Sequence, residues 1–132
     1  MTLIAVDIHA TVASLPLLKG RTPKTESAEA AMAFATIATT ENGGVFTGSF
    51  EGQSAWERHP NGDEFVQVIG GETQLTVLHE DVPVVLNMKT GMVTVVPRGC
   101  WHQFNAPTGV TVLTMTPQPT EHTSEDILAK IS

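Results

Sequence analysis

The 132-residue sequence has no tyrosine, a single cysteine, and only 7 lysine and arginine residues against 14 aspartate and glutamate residues. Because one cysteine cannot form an internal disulfide, the disulfide framework of a small secreted domain is excluded and a reducing compartment is favoured. The net charge of −7 argues against a nucleic-acid partner. Binding phosphates requires clustered basic residues, and here they are scattered along the chain.

The sequence also lacks a long apolar run. No stretch approaches the roughly 20 apolar residues that are needed to cross a bilayer. The apolar residues from Leu3 to Val6 are interrupted at Asp7 and have no basic leader, so they do not have the pattern of a signal peptide. We therefore expect a cytoplasmic protein without a membrane partner.

Turn-forming residues, by contrast, are frequent, with 11 glycines and 8 prolines. A chain of this length has room for one domain with one core. Short segments rich in β-branched residues recur between the glycines and prolines, which is typical of an all-β sandwich or barrel. The predicted strands are 3–9, 32–40, 45–50, 54–59, 64–69, 73–78, 84–88, 93–96, 101–105 and 110–116.

Local signals predict how these strands are connected. Two prolines and a glycine between residues 16 and 23 are expected to break any regular element as far as about Thr25. The stretch Glu41-Asn42-Gly43-Gly44 predicts a hairpin turn, because Asn-Gly supplies the positive φ of the tight primed turns. Gly70-Gly71 predicts a break between two strands.

The last residues predict a short helix. Pro117 and Pro119 are expected to end the sheet. Thr123, with Asp126 three residues later, resembles a capping box, which predicts a short helix that runs to Ile131.

Two segments carry the ionisable residues with the most suggestive spacing. Glu57 and His59 are two residues apart on a predicted strand, so their side chains point to the same side. A Pro-Asn-Gly turn follows, and Glu64 opens the next strand opposite that pair. His102 comes from the second segment. The four side chains are therefore expected to converge.

Two imidazoles and one or two carboxylates form a mixed nitrogen and oxygen set. Such a set suits a divalent transition metal, namely Fe(II), Mn(II), Ni(II) or Zn(II). Alternatively, the same side chains form a solvated polar rim at the end of the sheet. The spacing alone leaves both interpretations open.

Neighbouring residues complete the predicted pocket. Val66 and Val68 lie on the same face of their strand as Glu64. Cys100 and Phe104 lie on the same face as His102 if that strand is regular. A metal beside Cys100 would favour its thiolate, and the alternative is that this residue is a small buried hydrophobe. His122 has no partner at ligand spacing and is expected to be solvated.

The two segments resemble the motifs of the cupin superfamily. The first cupin motif places a Gly before His-x-His, then a Glu, and a further Gly after six residues. This chain matches it at Gly52, His59, Glu64 and Gly71. The second motif is Gly, five residues, Pro-x-Gly, two residues and His, followed by an Asn. The sequence matches it at the following positions: Gly91, Pro97, Gly99 and His102, with Asn105 one residue early.

The resemblance implies a cupin-type double-stranded β-helix, or jelly-roll barrel, over residues 32–117. Residues 1–31 would then form an N-terminal extension with a dimer-contact strand, and residues 118–132 a tail with the short helix. The resemblance also implies that His59, Glu64 and His102 are metal ligands. Glu57 departs from the motif, because it occupies the position of the first histidine, and it is a candidate fourth ligand.

Two classes of function fit these features. One is a metal-dependent oxidoreductase or isomerase that acts on a small organic molecule, and the other is a binding or sensing module that performs no chemistry, with or without a metal. A homodimer is also predicted, because apolar stretches at 3–8 and 34–37 exceed what the motif core needs and open strand edges favour pairing. The alternative is that these stretches cover their own barrel.

Overall fold

The computed structural model describes residues 3–131. None of the helices in this part of the chain is long and apolar enough to cross a membrane. The elements are two α-helices, nine strands and a 3₁₀ helix: α1 (Ile8–Ala13), β1 (Leu18–Arg21), α2 (Ser27–Met32), β2 (Phe34–Thr40), β3 (Gly43–Gln53), β4 (Trp56–Arg58), β5 (Glu64–His79), β6 (Val82–Lys89), β7 (Val93–Val96), β8 (His102–Pro117), β9 (Glu121–Thr123) and the 3₁₀ helix Leu128–Lys130.

Two long strands, β5 and β8, form the centre of the curled sheet. They pair antiparallel, from Phe65 opposite Met115 to Val77 opposite His102. β3 lies along the other edge of β8, while β7 and then β6 lie along the other edge of β5. The predicted all-β architecture is confirmed.

The glycines of β5 and β8 bend the strands without ending them. Gly71 has a φ of +70° and Gly109 a φ of +96°, and the β5–β8 register shifts on either side of Gly71. A Cβ on Gly71 would lie 2.3 Å from the carbonyl oxygen of Gly109, so the two strands approach too closely there for a side chain. The predicted break at Gly70-Gly71 is therefore wrong, because the residues form a bulge within one strand.

The predicted hairpin between β2 and β3 is confirmed, although its cause differs from the expected one. Thr40 pairs with Gly43, so the two-residue turn is Glu41-Asn42. Gly43 is required by packing, since a Cβ there would lie 2.0 Å from the carbonyl oxygen of Thr116. Positive φ values, 54° and 61°, occur instead at Glu80-Asp81, which joins β5 to β6 as a primed turn would.

The N-terminal predictions need correction. Residues 3–7 form no strand, and α1 begins at Ile8 because the Asp7 carboxylate accepts a hydrogen bond of 3.1 Å from the Ala10 N–H at its first turn. The stretch expected to be irregular contains β1, which pairs parallel with β3. The strand predicted from residue 32 begins at Phe34, because α2 extends to Met32.

The C-terminal predictions are met in part. The sheet does not end at the prolines, because β9 follows them and pairs antiparallel with β4. The final helix is a single 3₁₀ turn, in which the Asp126 carboxylate accepts a hydrogen bond from the Leu128 N–H. Thr123 accepts one from the Glu125 N–H and therefore forms a local turn instead of a helix cap.

The barrel interior is apolar over most of its length and polar at one end. Phe50, Leu75 and Val112 are among the side chains at most 2% exposed. Trp56 points the opposite way from its neighbour Glu57 and packs in a second cluster with Leu78 and Ile127. The division into segments 1–31, 32–117 and 118–132 stays a prediction.

Candidate metal centre

Three strands bring the four predicted ligands together at the polar end of the interior. Glu57 on β4 lies directly opposite His102, the first residue of β8. His59 follows β4, and Glu64 opens β5. One ligand atom from each residue lies within 4.8 Å of those of the other three, so the group can hold a metal ion. We call these four residues the His/Glu cluster.

The atoms of the His/Glu cluster face one another at 3.2–3.3 Å without forming hydrogen bonds. His102 Nε2 lies 3.2 Å from Glu64 Oε1 and 3.3 Å from Glu57 Oε1. His59 Nε2 lies 3.3 Å from Glu64 Oε2. The side chains of His59, Glu64 and His102 are at most 4% exposed.

Three buried side-chain atoms within residues 3–131 lack a hydrogen-bond partner, and all three belong to the His/Glu cluster. They are His59 Nε2, Glu64 Oε1 and His102 Nε2. Leaving a buried polar atom unpaired costs about 1–3 kcal/mol, so native proteins rarely tolerate several at one place. A cation between them would satisfy all three atoms at once. The donor set therefore fits a metal.

The far side of each buried ligand is fixed by the surrounding chain. His102 Nδ1 lies 3.0 Å from the Cys100 carbonyl oxygen. Since a carbonyl only accepts, Nδ1 carries a proton, and Nε2 can present a lone pair to the cluster when it gives up its own proton. The Thr116 hydroxyl donates to Glu64 Oε2 at 2.6 Å.

His59 is held by the loop that precedes β9. Its Nδ1 lies 2.9 Å from Thr120 Oγ1, which is itself 3.3 Å from Gln118 Oε1. When the hydroxyl donates to the amide oxygen, it accepts from Nδ1 and leaves Nε2 free to bind a metal.

The electrostatics couple the four side chains. Burial alone would lower the pKa of His102, but the Glu57 and Glu64 carboxylates, 3.3 and 3.2 Å from its Nε2, outweigh that effect and raise the pKa to about 10. Burial would raise the pKa of Glu57, yet the nearby imidazoles of His102 and His122 lower it. The pKa of Glu64 is also lowered, because the nearby imidazoles of His102 and His59 outweigh its burial. Without a metal, both carboxylates stay ionised beside an imidazolium.

His122 is a member of the site that the spacing missed. β9 places it opposite Glu57, and its Nε2 lies 3.3 Å from Glu57 Oε2 while its side chain is 52% exposed. His122 is largely exposed, as expected, but the expectation that it has no partner is wrong. The pairing between β4 and β9 places His122 beside Glu57, and no local sequence motif indicates that pairing.

A cavity of about 610 Å³ opens above the cluster. Glu57, His59 and Glu64 contribute to its lining, together with Phe104. Of the other predicted pocket residues, Val66 and Val68 are fully buried in the core.

Cys100 lies outside β8, so it does not share the regular alternation of that strand. It is half-buried and packs against the main core. Burial raises the pKa of its thiol, which opposes the thiolate form. Its carbonyl, not its sulfur, contacts a cluster residue.

Comparisons with known proteins agree with this fold. The family model for the cupin domain matches residues 48–116, more than half of the chain, and the chain belongs to this family. The predicted cupin barrel is thus confirmed. No curated protein matches the chain.

Solved structures of low sequence identity share the fold. A hydroquinone 1,2-dioxygenase, PnpCD, in complex with Cd2+ and 4-hydroxybenzonitrile is 23% identical with a TM-score of 0.54, over 64% of this chain and 63% of that chain. A cupin-2 domain containing protein from Shewanella frigidimarina is 24% identical with a TM-score of 0.53, over 64% and 79%. Oxalate decarboxylase of Bacillus subtilis, which has Mn(II) centres, is 18% identical with a TM-score of 0.54, over 60% and 23%.

Proposed function

We propose that the chain binds one divalent transition metal through His59, Glu64, His102 and Glu57, and that it acts on a small organic molecule in the cavity above. The observation that carries this proposal is the convergence of three unpartnered buried atoms on one point. The imidazole and carboxylate donors suit Fe, Mn, Ni or Zn. The Cd2+ and Mn(II) named with two structures of the same fold support a metal of this general kind.

A metal at this place would supply a Lewis acid that polarises oxygen atoms and activates water. The chain itself orients the ligands, through Thr116 on Glu64 and Thr120 on His59. Phenylalanine side chains line the cavity and give it an apolar wall. His122 stands at the mouth beside Glu57, where its Nε2 is placed to hold or release a proton.

These features favour an oxidoreductase or an isomerase. The dioxygenase among the structures of similar fold supports the first of these reaction types. The fold alone hosts many reactions, so the proposal rests on the cluster and the cavity.

A non-catalytic binding or sensing cupin is the second candidate. Its support is that the charges of the cluster balance in part without a metal, because the raised pKa of His102 leaves an imidazolium between Glu57 and Glu64. Such a barrel would hold a small ligand in the same cavity without chemistry.

Elemental analysis of the purified protein distinguishes the two candidates. We expect about one transition metal per chain after expression in medium that contains Fe, Mn, Ni and Zn, and the same content in the control variant His79→Gln, whose side chain is exposed and does not belong to the His/Glu cluster. A protein that stays metal-free, and that takes up none of these ions at pH 8, would contradict the metal site and favour the binding module.

We also propose that the chain forms a homodimer in the cytoplasm. Leu3 and Ile4 are 96% and 67% exposed, so these two residues do not cover their own barrel. Val95 and Met115, about half exposed, flank Phe65 on the outer face of the sheet. An exposed apolar face of this kind supports association with a second copy.

Light scattering coupled to size exclusion tests the dimer. We expect a mass of about twice 14.1 kDa at micromolar concentration, and dissociation by the outward substitution Val95→Glu. A mass of one chain that does not change with concentration would contradict the proposal.

A further inference from the structure

One permanent positive charge lies in the cavity and has no assigned role. Arg21, the last residue of β1, lines the cavity with its side chain half-buried. Its guanidinium carbon is 4.6 Å from the centroid of the Phe50 ring and 5.9 Å from that of Phe34. Within residues 3–131, the side-chain hydrogen bonds and ion pairs of the structure do not include this guanidinium. Its five N–H donors are therefore available to a ligand.

The backbone of Arg21 is held in place by a close approach that the sequence enforces. β1 pairs with β3 at two points, Leu18 with Phe50 and Arg21 with Gly52. Gly52 has a φ of +114°, and a Cβ there would lie 2.2 Å from the Arg21 carbonyl oxygen. The strand can carry Arg21 to this position only because residue 52 has no side chain.

The surroundings of Arg21 define what it can bind. Burial lowers the pKa of the guanidinium, and the negative charge of Glu57 opposes that effect. The wall beside it is aromatic, with Phe34, Phe46 and Phe104 in addition to Phe50. Arginine binds carboxylates through two parallel hydrogen bonds, and the rings provide a surface for an apolar body.

We propose that Arg21 is the anion-binding residue of this cavity, and that its ligand is a small organic monocarboxylate with an apolar or aromatic body. The carboxylate pairs with the guanidinium, the body packs on the phenylalanines, and the remaining end faces the His/Glu cluster. A single guanidinium opposite Glu57 and Glu64 matches one negative charge better than two, which favours a carboxylate over a phosphate dianion. The orientation toward the cluster rests on the proposed function, whereas the carboxylate contact does not require a metal.

Calorimetry with pairs of acids and amides tests the contact. The probes are benzoate, phenylacetate and hexanoate, each with its uncharged amide, and inorganic phosphate, applied to the Zn-loaded protein and to the protein treated with a chelator. We expect at least one carboxylate to bind more tightly than its amide. Arg21→Gln should weaken that carboxylate at least about tenfold and its amide less than about twofold.

Two variants control for charge and folding. Lys19→Gln removes one positive charge from an exposed position on the same strand and should leave binding unchanged. Arg21→Lys keeps the positive charge but not the planar guanidinium that donates two parallel hydrogen bonds, so it should recover part of the carboxylate affinity that Arg21→Gln loses. Thermal unfolding shows that each variant is folded.

Several results would overturn the proposal. They are the absence of carboxylate binding to the wild-type protein in both metal states, an equal loss of acid and amide in Arg21→Gln, unchanged binding in that variant, or tighter binding of phosphate that depends on Arg21. Metal content separates this proposal from the proposed function. If the protein takes up no metal but binds benzoate through Arg21, the metal site fails and the anion contact stands.

Discussion

The two ends of the barrel interior are equally buried but chemically opposite. In the middle of β5 and β8, Val68, Leu75 and Val112 are at most 2% exposed and belong to the main hydrophobic core. At the end where β5 begins, Glu64 and His102 are as deeply buried, yet some of their polar atoms have no partner. Burial of the first group stabilises the fold, whereas burial of the second costs stability unless something binds there. The polar end is therefore a candidate site, and the apolar end is a core.

The largest expected effect is the loss of stability caused by a substitution at the apolar end. Leu75→Ala should lower the free energy of unfolding by about 2–5 kcal/mol, because it removes a fully buried side chain and leaves a cavity. Chemical denaturation measures this loss, and elemental analysis should show unchanged metal content in the folded variant. A loss of metal without a loss of stability would show that the apolar core and the site are not separate.

The polar end should respond in the opposite way. His59→Ala and His102→Ala should each weaken metal binding at least about a hundredfold, more than the tenfold to hundredfold typical of residues that only support ligands. Each variant should remain folded, and far-UV circular dichroism of the sheet would check this. Competition with a chromogenic chelator measures the affinity, with His79→Gln as the control. Full metal occupancy in both alanine variants would place the site elsewhere.

Lower pH should weaken metal binding at the polar end. In the metal-free protein the pKa of His102 rises from 6.5 to about 10, so its contribution to stability is fully present below 6.5 and is lost as the pH rises through about 10. Metal binding displaces that proton, so the affinity should rise about tenfold per pH unit between pH 6.5 and 8.5. Zn titrations in two buffers of different protonation enthalpy measure the proton released. An affinity that does not change with pH would contradict a ligand role for His102.

Glu57 should have the smallest effect among the four cluster residues. Its side chain is 20% exposed at the mouth and one of its oxygens faces His122, so water can replace it in part. Glu57→Ala should weaken metal binding less than about tenfold, and Glu57→His should retain the metal with a shift toward ions that prefer nitrogen. Unchanged affinity for all four metals in Glu57→Ala would leave a three-ligand site.

Sequence reasoning identified the cluster because its residues lie in two short segments with recognisable spacing. Strand parity placed Glu57 and His59 on one face, the turn brought Glu64 opposite them, and the motifs supported ligand roles for His59, Glu64 and His102. Thr116 supports the cluster from the end of β8, and no spacing rule relates that position to a metal.

Residues near the chain ends were missed for a different physical reason. Arg21 and His122 reach the cavity through the β1–β3 and β4–β9 pairings, which join positions far apart in the chain. Such pairings depend on the tertiary fold, so local propensity does not reveal them. Gly71 was misread because a glycine that permits close approach of two strands has the same sequence signature as one that ends a strand.

The measurement that tests the metal site most directly is anomalous diffraction from crystals soaked in Zn or Mn, with data on both sides of the absorption edge. We predict one peak within about 2.0–2.3 Å of His59 Nε2, His102 Nε2 and a Glu64 carboxylate oxygen. These are the residues that carry the three unpartnered atoms of the metal-free site. A peak at another place, or no peak with ordered water bonded to those atoms, would contradict the assignment of the polar end as a metal site.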